Sequence, residues 1–275
     1  MKATVIIPTS GEKGKFLPYV IDSVLKQTIR HLEVLVIGDG AGESTRNTLK
    51  PLCRKNKRIK FFDFPKHERR GEPNRHKVLM EHARGEIVCY LTDHDLYLPD
   101  HVARFHKALT SADFAHSLMG AVQSEGAMIF PSMADLENRA EDRAAMLSER
   151  NLLPLDFGGH TLDFYKRRKE VYWQTTPPAY PTDGFFFSQM LKHGRVKTIY
   201  DFTVIYLPRP IQPKRNDPEA YLIEIRGWHK KLQQKNFAQL FRQHSFEQLV
   251  SFNSLRREQV AHYQNKLREL GHPDI

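Results

Sequence analysis

The sequence predicts an α/β fold in which helices flank a mostly parallel central sheet. Two short β-branched runs, "ATVIIP" (3–8) and "LEVLVIGDG" (32–40), indicate buried strands. Between them, "FLPYVIDSVLKQT" (16–28) places apolar residues at the spacing of an amphipathic helix. Strands that alternate with helices in this way form right-handed βαβ units, and the sheet that they build is parallel.

The pattern continues along the first 110 residues and becomes less regular after them. In chain order it predicts a strand at 3–8, a helix at 16–28, a strand at 32–40, a helix at 43–56, a strand at 58–64, a helix at 73–85 closed by Gly85, a strand at 86–92 and a helix at 98–109. The later predicted elements are short strands within 114–131, a polar helix or mobile segment at 135–150, a strand and helix at 154–169, a helix at 182–194 ending at Gly194, a strand at 198–208 and four amphipathic helical segments after about 218.

The composition limits the classes of protein to which the chain can belong. A formal net charge of +10 predicts an anionic partner. No nucleic-acid recognition motif accompanies the basic residues, so we expect no nucleic-acid partner. No apolar run reaches the ~18 residues of a membrane span, and no signal peptide is expected. The two cysteines form neither a disulfide framework nor a zinc pattern, which makes a cytoplasmic location the default.

Polar segments follow three of the predicted strands: "PTSGE" (8–12), "GDG" (38–40) and "TDHD" (92–95). Parallel sheets bind ligands at the carboxyl ends of their strands, so we expect these segments at one ligand crevice. Asp39 could accept hydrogen bonds from a base or a ribose, or it could be a turn residue. The segment alone leaves both interpretations open.

The segment 92–95 contains three side chains that can bind a metal ion. Asp93, His94 and Asp95 offer oxygen and imidazole ligands to a divalent ion such as Mn²⁺ or Mg²⁺ that bridges two phosphates. The alternative is a polar turn in which Thr92 or Asp95 caps the following helix. Taken alone, these residues favour the turn.

Two further residues, Asp183 and His160, could act on a substrate. Asp183 precedes an apolar helix and could be a general base or the N-cap of that helix. His160 follows "FGG" and could contact a substrate or a metal, although a structural histidine is the more frequent case. The sequence has no HExxH pair, GxSxG elbow or Walker A loop, which argues against a zinc hydrolase, an α/β-hydrolase and a P-loop NTPase.

Five segments, in order, resemble the inverting glycosyltransferases of family 2, which have the GT-A fold. They are "ATVIIPTSG", "FLPYVIDSVLKQT", "LEVLVIGDGAG", "ARGEIVCYLTDHDLYLPDHV" and "TDGFFFSQMLKHG", and the resemblance covers roughly residues 3–207. It implies a GT-A catalytic domain over 1–210, with a nucleotide-sugar-binding half at 1–110 and an acceptor-binding half at 111–210. The segment 211–275 would be a C-terminal helical extension.

The resemblance also implies roles for individual residues. For the donor it implies a loop that holds the nucleotide, Pro8, Thr9 and Ser10, a contact to the base, Asp39, and further donor contacts, Asn74, Arg75, Lys77 and Asp93. The metal motif would be Asp93, His94 and Asp95. His160 would lie in the acceptor region, and Asp183 would be the catalytic base. Gly38, Thr92 and His94 stand where the family usually has acidic residues.

The resemblance therefore implies a transferase that uses Mn²⁺ or Mg²⁺, a nucleotide-sugar donor such as a UDP-sugar, and a glycan or lipid-linked acceptor, in surface polysaccharide synthesis. The altered acidic residues motivate an alternative, a non-catalytic GT-A-like domain that binds a nucleotide or a glycan within an assembly. The C-terminal helices have no role implied by the family. Their apolar residues could pack on the catalytic domain, on a second copy of the chain, or peripherally on the inner face of a membrane.

Overall fold

Strands and helices alternate through the first half of the chain, as the hydrophobic pattern predicts. The computed structural model describes residues 1–123, 126–148, 150–209 and 213–269. The strands are β1 Ala3–Gly11, β2 Leu32–Ala41, β3 Ile59–Phe64, β4 Ile87–Tyr90, β5 Leu96–Tyr97, β6 Phe114–Leu118, β7 Ala121–Val122, β8 Met128–Ile129, β9 Gly158–Thr161, β10 Val196–Phe202 and β11 Val204–Ile205. The helices are α1 Leu17–Leu25, α2 Glu43–Lys55, α3 Glu72–His82, α4 His101–Ala108, α5 Ala140–Leu147, α6 Leu162–Arg167, α7 Thr182–His193, α8 Pro218–Leu232 and α9 Phe237–Glu269.

The central sheet has seven strands in the order β10-β6-β9-β4-β1-β2-β3. β1 pairs in parallel with both β2 and β4, and β2 pairs in parallel with β3. β9 is antiparallel to its neighbours β4 and β6. The predicted fold class, a mostly parallel sheet flanked by helices, is confirmed, and the antiparallel β9 is a feature that the sequence pattern did not specify.

The core forms where apolar runs of the strands meet apolar faces of the helices. In β1 and β2 the first five and seven residues, respectively, are buried, as expected for strands covered on both faces. α1 buries Leu17, Val20, Ile21 and Val24, which recur at helical spacing and form one apolar face. Apolar surface removed from water by this packing is the main favourable term in folding.

Gly85 has a different role from the predicted one. α3 ends at His82, with Ala83 as its C-cap, so Gly85 does not close the helix. An added Cβ at Gly85 would lie 2.2 Å from the amide nitrogen of Thr4. Gly85 therefore allows the chain that enters β4 to approach the backbone of β1.

The C-terminal helices pack on the rest of the chain. In α8, Tyr221, Leu222 and Ile225 are buried, and the imidazole of His229 lies 2.6 Å from a carboxylate oxygen of Asp22 on α1. In α9, Arg242 donates to the carbonyl of Phe202 at 3.0 Å. No helix in the described ranges combines the length and hydropathy that crossing a membrane requires.

Two predictions about the second half need correction, and a third lies outside the described residues. The last three of the four predicted C-terminal segments are one continuous helix, α9. The predicted strand at 198–208 is two strands, since β10 ends at Phe202 and β11 begins at Val204. The proposed domain boundary falls in 210–212, outside the described residues, so this boundary stays a prediction.

Replacing Gly85 by alanine should lower the free energy of unfolding by roughly 1–3 kcal/mol, because the new methyl group would collide with backbone. Gly227→Ala in α8 is the matched control, since nothing lies within 4 Å of the Cβ position there. Higher helix propensity should raise the stability of this control by roughly 0.5–1 kcal/mol. Urea unfolding at constant m-value measures both changes. Equal effects of the two substitutions would contradict the close contact between Gly85 and β1.

Candidate functional site

A cleft of about 360 Å³ opens at the carboxyl ends of the parallel strands. The ends of β1, β2 and β4 are adjacent there because these strands pair side by side in one direction. The cleft is lined by Pro8, Thr9, Ser10, Ile37, Asp39, Lys66, Arg69, Arg70, Gly71, Arg75, Thr92, Asp93, His94, Leu155 and Asp183. The structure thus brings together eight of the twelve predicted site residues, namely Pro8, Thr9, Ser10, Asp39, Arg75, Asp93, His94 and Asp183.

Asp93 connects the ends of two strands. One of its carboxylate oxygens accepts a hydrogen bond from the hydroxyl of Thr9 at 2.8 Å, and the other accepts one from Nδ1 of His94 at 2.9 Å. The ammonium of Lys13 lies 3.7 Å from the second oxygen. Burial raises the pKa of Asp93, but the hydrogen bond and charge of His94, together with Lys13, outweigh it, so the pKa is lowered. Asp93 is therefore held as a carboxylate.

Asp95 lies behind the cleft and holds the turn in place. Its side chain is fully buried. One oxygen accepts from the hydroxyl of Thr92 at 2.6 Å and the other from the amide of Leu207 at 2.7 Å. Both oxygens are thus used to fix the segment 92–95 against the chain that follows β11.

A second buried carboxyl, Asp156, lies beside the same turn. It accepts a hydrogen bond from the amide of Thr92 at 2.6 Å, while its other oxygen has no hydrogen-bond partner among the described residues. Burial, followed by the charge of Asp95, raises the pKa of Asp156 well above its usual value. The neutral form of Asp156 is therefore favoured over a wider pH range than that of an ordinary aspartate.

The contacts of the segment 92–95 do not fit the expected Mn²⁺ or Mg²⁺ centre. Among the described residues, no three His, Cys, Asp or Glu side chains are arranged to hold a metal ion. These hard ions bind carboxylate oxygens, yet both oxygens of Asp93 and of Asp95 already accept hydrogen bonds, and the ammonium of Lys13 already lies 3.7 Å from Asp93. His94 has its Nδ1 on Asp93 and its Nε2 3.9 Å from Asp95. Metal binding by Asp93, His94 and Asp95 stays a prediction that these contacts do not support.

Asp39, at the end of β2, is covered by the loop that follows β3. Its oxygens accept hydrogen bonds from the amide of His67 at 2.6 Å and from the ammonium of Lys66 at 2.5 Å. Gly71 has a φ of +71°, and a Cβ there would lie 2.8 Å from the Asp39 side chain. Glycine at 71 therefore lets the loop 65–71 fold over Asp39.

The loop 65–71 also carries two arginines, Arg69 and Arg70, that the sequence motifs did not indicate as site residues. Arg70 donates to the carbonyl of Tyr180 at 3.0 Å and to the hydroxyl of Thr182 at 2.7 Å. Arg69 donates to the carbonyl of Thr176 at 3.3 Å. Their partners are neutral, so both positive charges remain available at the cleft. The available signal was the basic cluster "KHERRGEPNRHK" directly after a predicted strand.

Asp183 lies in the first turn of α7 but does not cap it. The N-cap of α7 is Pro181, and no side chain makes a cap hydrogen bond there. Asp183 instead accepts a hydrogen bond from the amide of Leu155 at 3.2 Å. Burial raises the pKa of Asp183, and the nearby charge of Arg75 opposes this effect. A cleft-lining carboxyl with a raised pKa is suited to accepting a proton.

Arg75 is the one predicted donor contact on α3 that lines the cleft. Its guanidinium lies 4.7 Å from the ring centroid of Trp173, a cation–π distance. Asn74 and Lys77 do not line the cleft, and Lys77 extends toward the ring of Phe64 at 6.0 Å. A helix turns by about 100° per residue, so neighbouring positions of α3 point in different directions.

His160 is a core residue, which corrects the expected acceptor contact. Its side chain is fully buried in β9. Its Nδ1 donates to the carbonyl of Thr161 at 2.9 Å, and its Nε2 accepts from the hydroxyl of Tyr90 at 2.8 Å. The same hydroxyl accepts from the indole of Trp173 at 3.2 Å. Burial lowers the pKa of His160 to about 4, which agrees with the neutral imidazole that these bonds require.

An antiparallel strand within an otherwise parallel sheet, and a cleft at the ends of β1, β2 and β4, define a GT-A-like α/β protein. The protein resembles TarS residues 1–349 of S. aureus, solved in complex with UDP-GlcNAc, with a TM-score of 0.57, 19% identity, and coverage of 76% of this chain and 59% of that one. It also resembles a mannosyltransferase of Pyrobaculum calidifontis in complex with GDP-Man and Mn²⁺, with a TM-score of 0.53, 14% identity, and coverage of 97% and 80%. These likenesses establish the GT-A fold.

The sequence comparisons identify the family. The model of Glycosyl transferase family 2 matches residues 4–176, and the chain belongs to this family. A Campylobacter jejuni GalNAc(5)-diNAcBac-PP-undecaprenol beta-1,3-glucosyltransferase is 23% identical over 167 residues, which are 60% of this chain and 52% of that protein. Glycosyltransferase GlyA of Streptococcus pneumoniae is 24% identical over 137 residues, 49% of this chain and 19% of that protein. The chain thus spans about half or less of the length of these relatives.

The buried histidines should make the protein less stable as the pH falls from about 6.5 to about 4. The pKa of His160 is lowered from 6.5 to about 4 in the folded protein. Within that window the unfolded chain therefore binds a proton that the folded protein does not, and stability falls with falling pH. One such group contributes about 1.4 kcal/mol per pH unit. Urea unfolding at several pH values measures the slope.

His160→Phe should reduce this slope by one group's contribution, whereas substitution of the exposed His31 should leave it unchanged. His116 is also buried, and its pKa is lowered to about 4. Part of the dependence of stability on pH should therefore persist in the His160→Phe variant. An unchanged slope in that variant would show that His160 does not remain neutral in the fold.

Proposed function

We propose that this chain transfers a sugar from a nucleotide-diphosphate donor, a UDP-sugar, to a hydroxyl of a glycan or lipid-linked acceptor with inversion at the anomeric carbon. One observation carries the proposal. A single cleft at the sheet edge combines Asp39, a carboxyl with a raised pKa at Asp183, and basic side chains without acidic partners. A base-binding acid, a proton acceptor and a diphosphate-binding set are the three parts that this transfer requires.

The charge distribution supports an anionic donor. Lys66, Arg69, Arg70 and Arg75 line the cleft with Asp39, Asp93 and Asp183. Asp39 is neutralised by Lys66, and Asp93 by His94 and Lys13. Among the described residues, Arg69 and Arg70 have no carboxylate within ion-pair distance, and they bind only neutral oxygens. Guanidinium groups of this kind bind phosphate oxygens in a bidentate manner.

The proposed reaction is a single displacement. The acceptor oxygen forms a bond to the anomeric carbon while its proton passes to the carboxylate of Asp183. The bond between the anomeric carbon and the phosphate oxygen breaks, and its electron pair leaves with the nucleoside diphosphate. The cationic side chains of the cleft stabilise the charge that develops there. No covalent bond to the enzyme forms, and no step of this proposal passes through a metal ion.

The relatives support the substrate class. TarS was solved with UDP-GlcNAc, and the C. jejuni relative is named for a glucosyl transfer to an undecaprenol diphosphate-linked glycan. We therefore assign this chain a role in building surface polysaccharide on a lipid-linked acceptor, in the cytoplasm at the inner face of the membrane. The non-catalytic alternative shares the donor site but requires no proton acceptor.

Asp183→Asn should lower the turnover number by about 10²–10⁴-fold, because the amide cannot accept the acceptor proton. The affinity for UDP should stay within about twofold, since the substitution removes no phosphate contact. Asp163→Asn on α6 is the control: Asp163 is exposed and forms an ion pair with Arg167 away from the cleft. Release of nucleoside diphosphate from UDP-, GDP- and dTDP-sugars measures turnover, and isothermal titration measures affinity.

Wild-type binding without turnover on any donor and acceptor would favour the non-catalytic domain. Equal turnover of the wild type and Asp183→Asn would remove Asp183 as the base. Failure of every nucleotide sugar and nucleoside diphosphate to bind would contradict the proposed function itself.

A further inference from the structure

We propose that side-chain cations of this chain, Lys13 and Arg209 foremost, neutralise the diphosphate of the donor in place of a divalent metal ion. This inference rests on the proposed function. It predicts that the nucleotide binds, and its sugar is transferred, without Mn²⁺ or Mg²⁺. Neither cation is among the side chains that line the cleft; Lys13 lies beside its Asp93, and Arg209 lies beside Tyr221, whose hydroxyl contacts His94. Neither Lys13 nor Arg209 belongs to the motifs in the sequence that indicated a donor site.

The acidic side chains of the segment 92–95 already have partners. Both oxygens of Asp95 accept hydrogen bonds, from Thr92 and Leu207. The oxygens of Asp93 accept hydrogen bonds from Thr9 and His94, and the ammonium of Lys13 lies 3.7 Å from Asp93. A divalent ion bound to Asp93 would therefore lie beside a positive charge that is already in place, and two like charges repel each other.

Lys13, the first of the two cations, lies on the loop after β1. Its side chain is 16% exposed, and its ammonium lies 3.7 Å from Asp93. The backbone of Lys13 is fixed, because its amide donates to the hydroxyl of Thr45 at 2.6 Å and its carbonyl accepts from the amide of Phe16 at 3.0 Å. A positive charge is thus already held against the carboxylate that faces the cleft, which is the place where a metal ion would lie.

Arg209, the second cation, follows β11. Its guanidinium lies 5.5 Å from the ring centroid of Tyr221, and the hydroxyl of Tyr221 donates to the carbonyl of His94 at 3.1 Å. Tyr221 is itself packed against Phe16, with ring centroids 5.3 Å apart. These contacts hold Arg209 beside the segment 92–95. Among the described residues, Arg209 has no carboxylate within ion-pair distance, and its buried Nε has no hydrogen-bond partner.

The two cations also interact electrostatically. Lys13 and Arg209 are close enough to influence each other, since the charge of Arg209 lowers the pKa of Lys13, after the larger effects of burial and of Asp93. One carboxylate, Asp93, lies 3.7 Å from the ammonium of Lys13. Two like charges held together in a half-buried place repel each other until an anion joins them. The diphosphate is the anion that the proposed donor brings to this edge of the cleft.

The chemistry follows from the displacement described above. As the bond from the anomeric carbon to the phosphate oxygen breaks, its electron pair stays on that oxygen and the leaving group gains one negative charge. The ammonium of Lys13 and the guanidinium of Arg209 donate hydrogen bonds to phosphate oxygens and stabilise this charge. Protons, electrons and charge balance without a further reactant, because Asp183 takes the proton of the acceptor.

The test is nucleotide binding with and without metal. UDP, GDP and dTDP are titrated calorimetrically into the full chain, once in EDTA and once in Mn²⁺ after removal of EDTA. We expect the Kd of the nucleotide that binds to agree within about twofold between the two conditions, and donor turnover to persist in EDTA. Binding that requires Mn²⁺, or that Mn²⁺ tightens by about tenfold or more, would overturn the inference and leave the proposed function standing.

Variants identify the cations that replace the ion. Lys13→Met and Arg209→Met should each weaken nucleotide binding by about tenfold or more in both conditions, because each removes a charged hydrogen-bond donor, and Lys13→Arg should retain most of the affinity. Lys15→Met is the matched control, since Lys15 is exposed two residues further along and pairs with Glu219. Wild-type affinity in both Met variants would overturn the inference. Absence of all nucleotide binding by the wild type would remove it together with the proposed function.

Discussion

The parallel pairing of β1 with β2 and with β4 is the constraint on which the site depends. Because these strands run side by side in one direction, Thr9, Asp39 and Asp93 leave the sheet at the same edge, although 84 residues separate Thr9 from Asp93 in the chain. The buried hydrogen bond between Thr9 and Asp93 then joins two strand ends directly. Apolar burial along the strands supplies most of the stability of this arrangement. The packed strands in turn position the polar residues at the edge of the sheet.

The turn after β4 shows how the fold keeps several acids close together. Asp95 and Asp156 are both fully buried, and two buried charges of the same sign would be costly. Both oxygens of Asp95 accept hydrogen bonds, from Thr92 and Leu207, and burial with the neighbouring charge raises the pKa of Asp156, which favours its neutral form. Asp95 and Asp156 therefore stabilise the turn, whereas Asp93 lines the cleft.

The sequence allowed prediction of those parts of the fold that depend on local periodicity. The strands and helices of the first 110 residues and the edge that carries the polar segments follow from hydrophobic spacing and the geometry of parallel sheets. The direction of β9 does not, since four residues, "GGHT", carry no signal of pairing. His160 could not be assigned, because an imidazole in a core and one at a cleft look alike in a sequence. Loop conformations bring three further residues to the cleft, Arg69, Arg70 and Leu155, and these conformations depend on a left-handed glycine at 71 and on contacts distant in the chain.

The sequence pattern predicts three separate segments where the structure has the single helix α9, because polar residues such as Ser245 interrupt the apolar spacing. The hydroxyl of Ser245 donates a hydrogen bond to the carbonyl of Phe241 within the helix.

The loop 65–71 has a mechanical consequence for the two ends of the cleft. At one end it covers Asp39 through Lys66 and His67. At the other, Arg69 and Arg70 hold the oxygens of the segment that leads into α7 and therefore into Asp183. The loop 65–71 thus contacts both ends of the cleft, so a change in its conformation would move the partners of Asp39 together with the arginines beside α7.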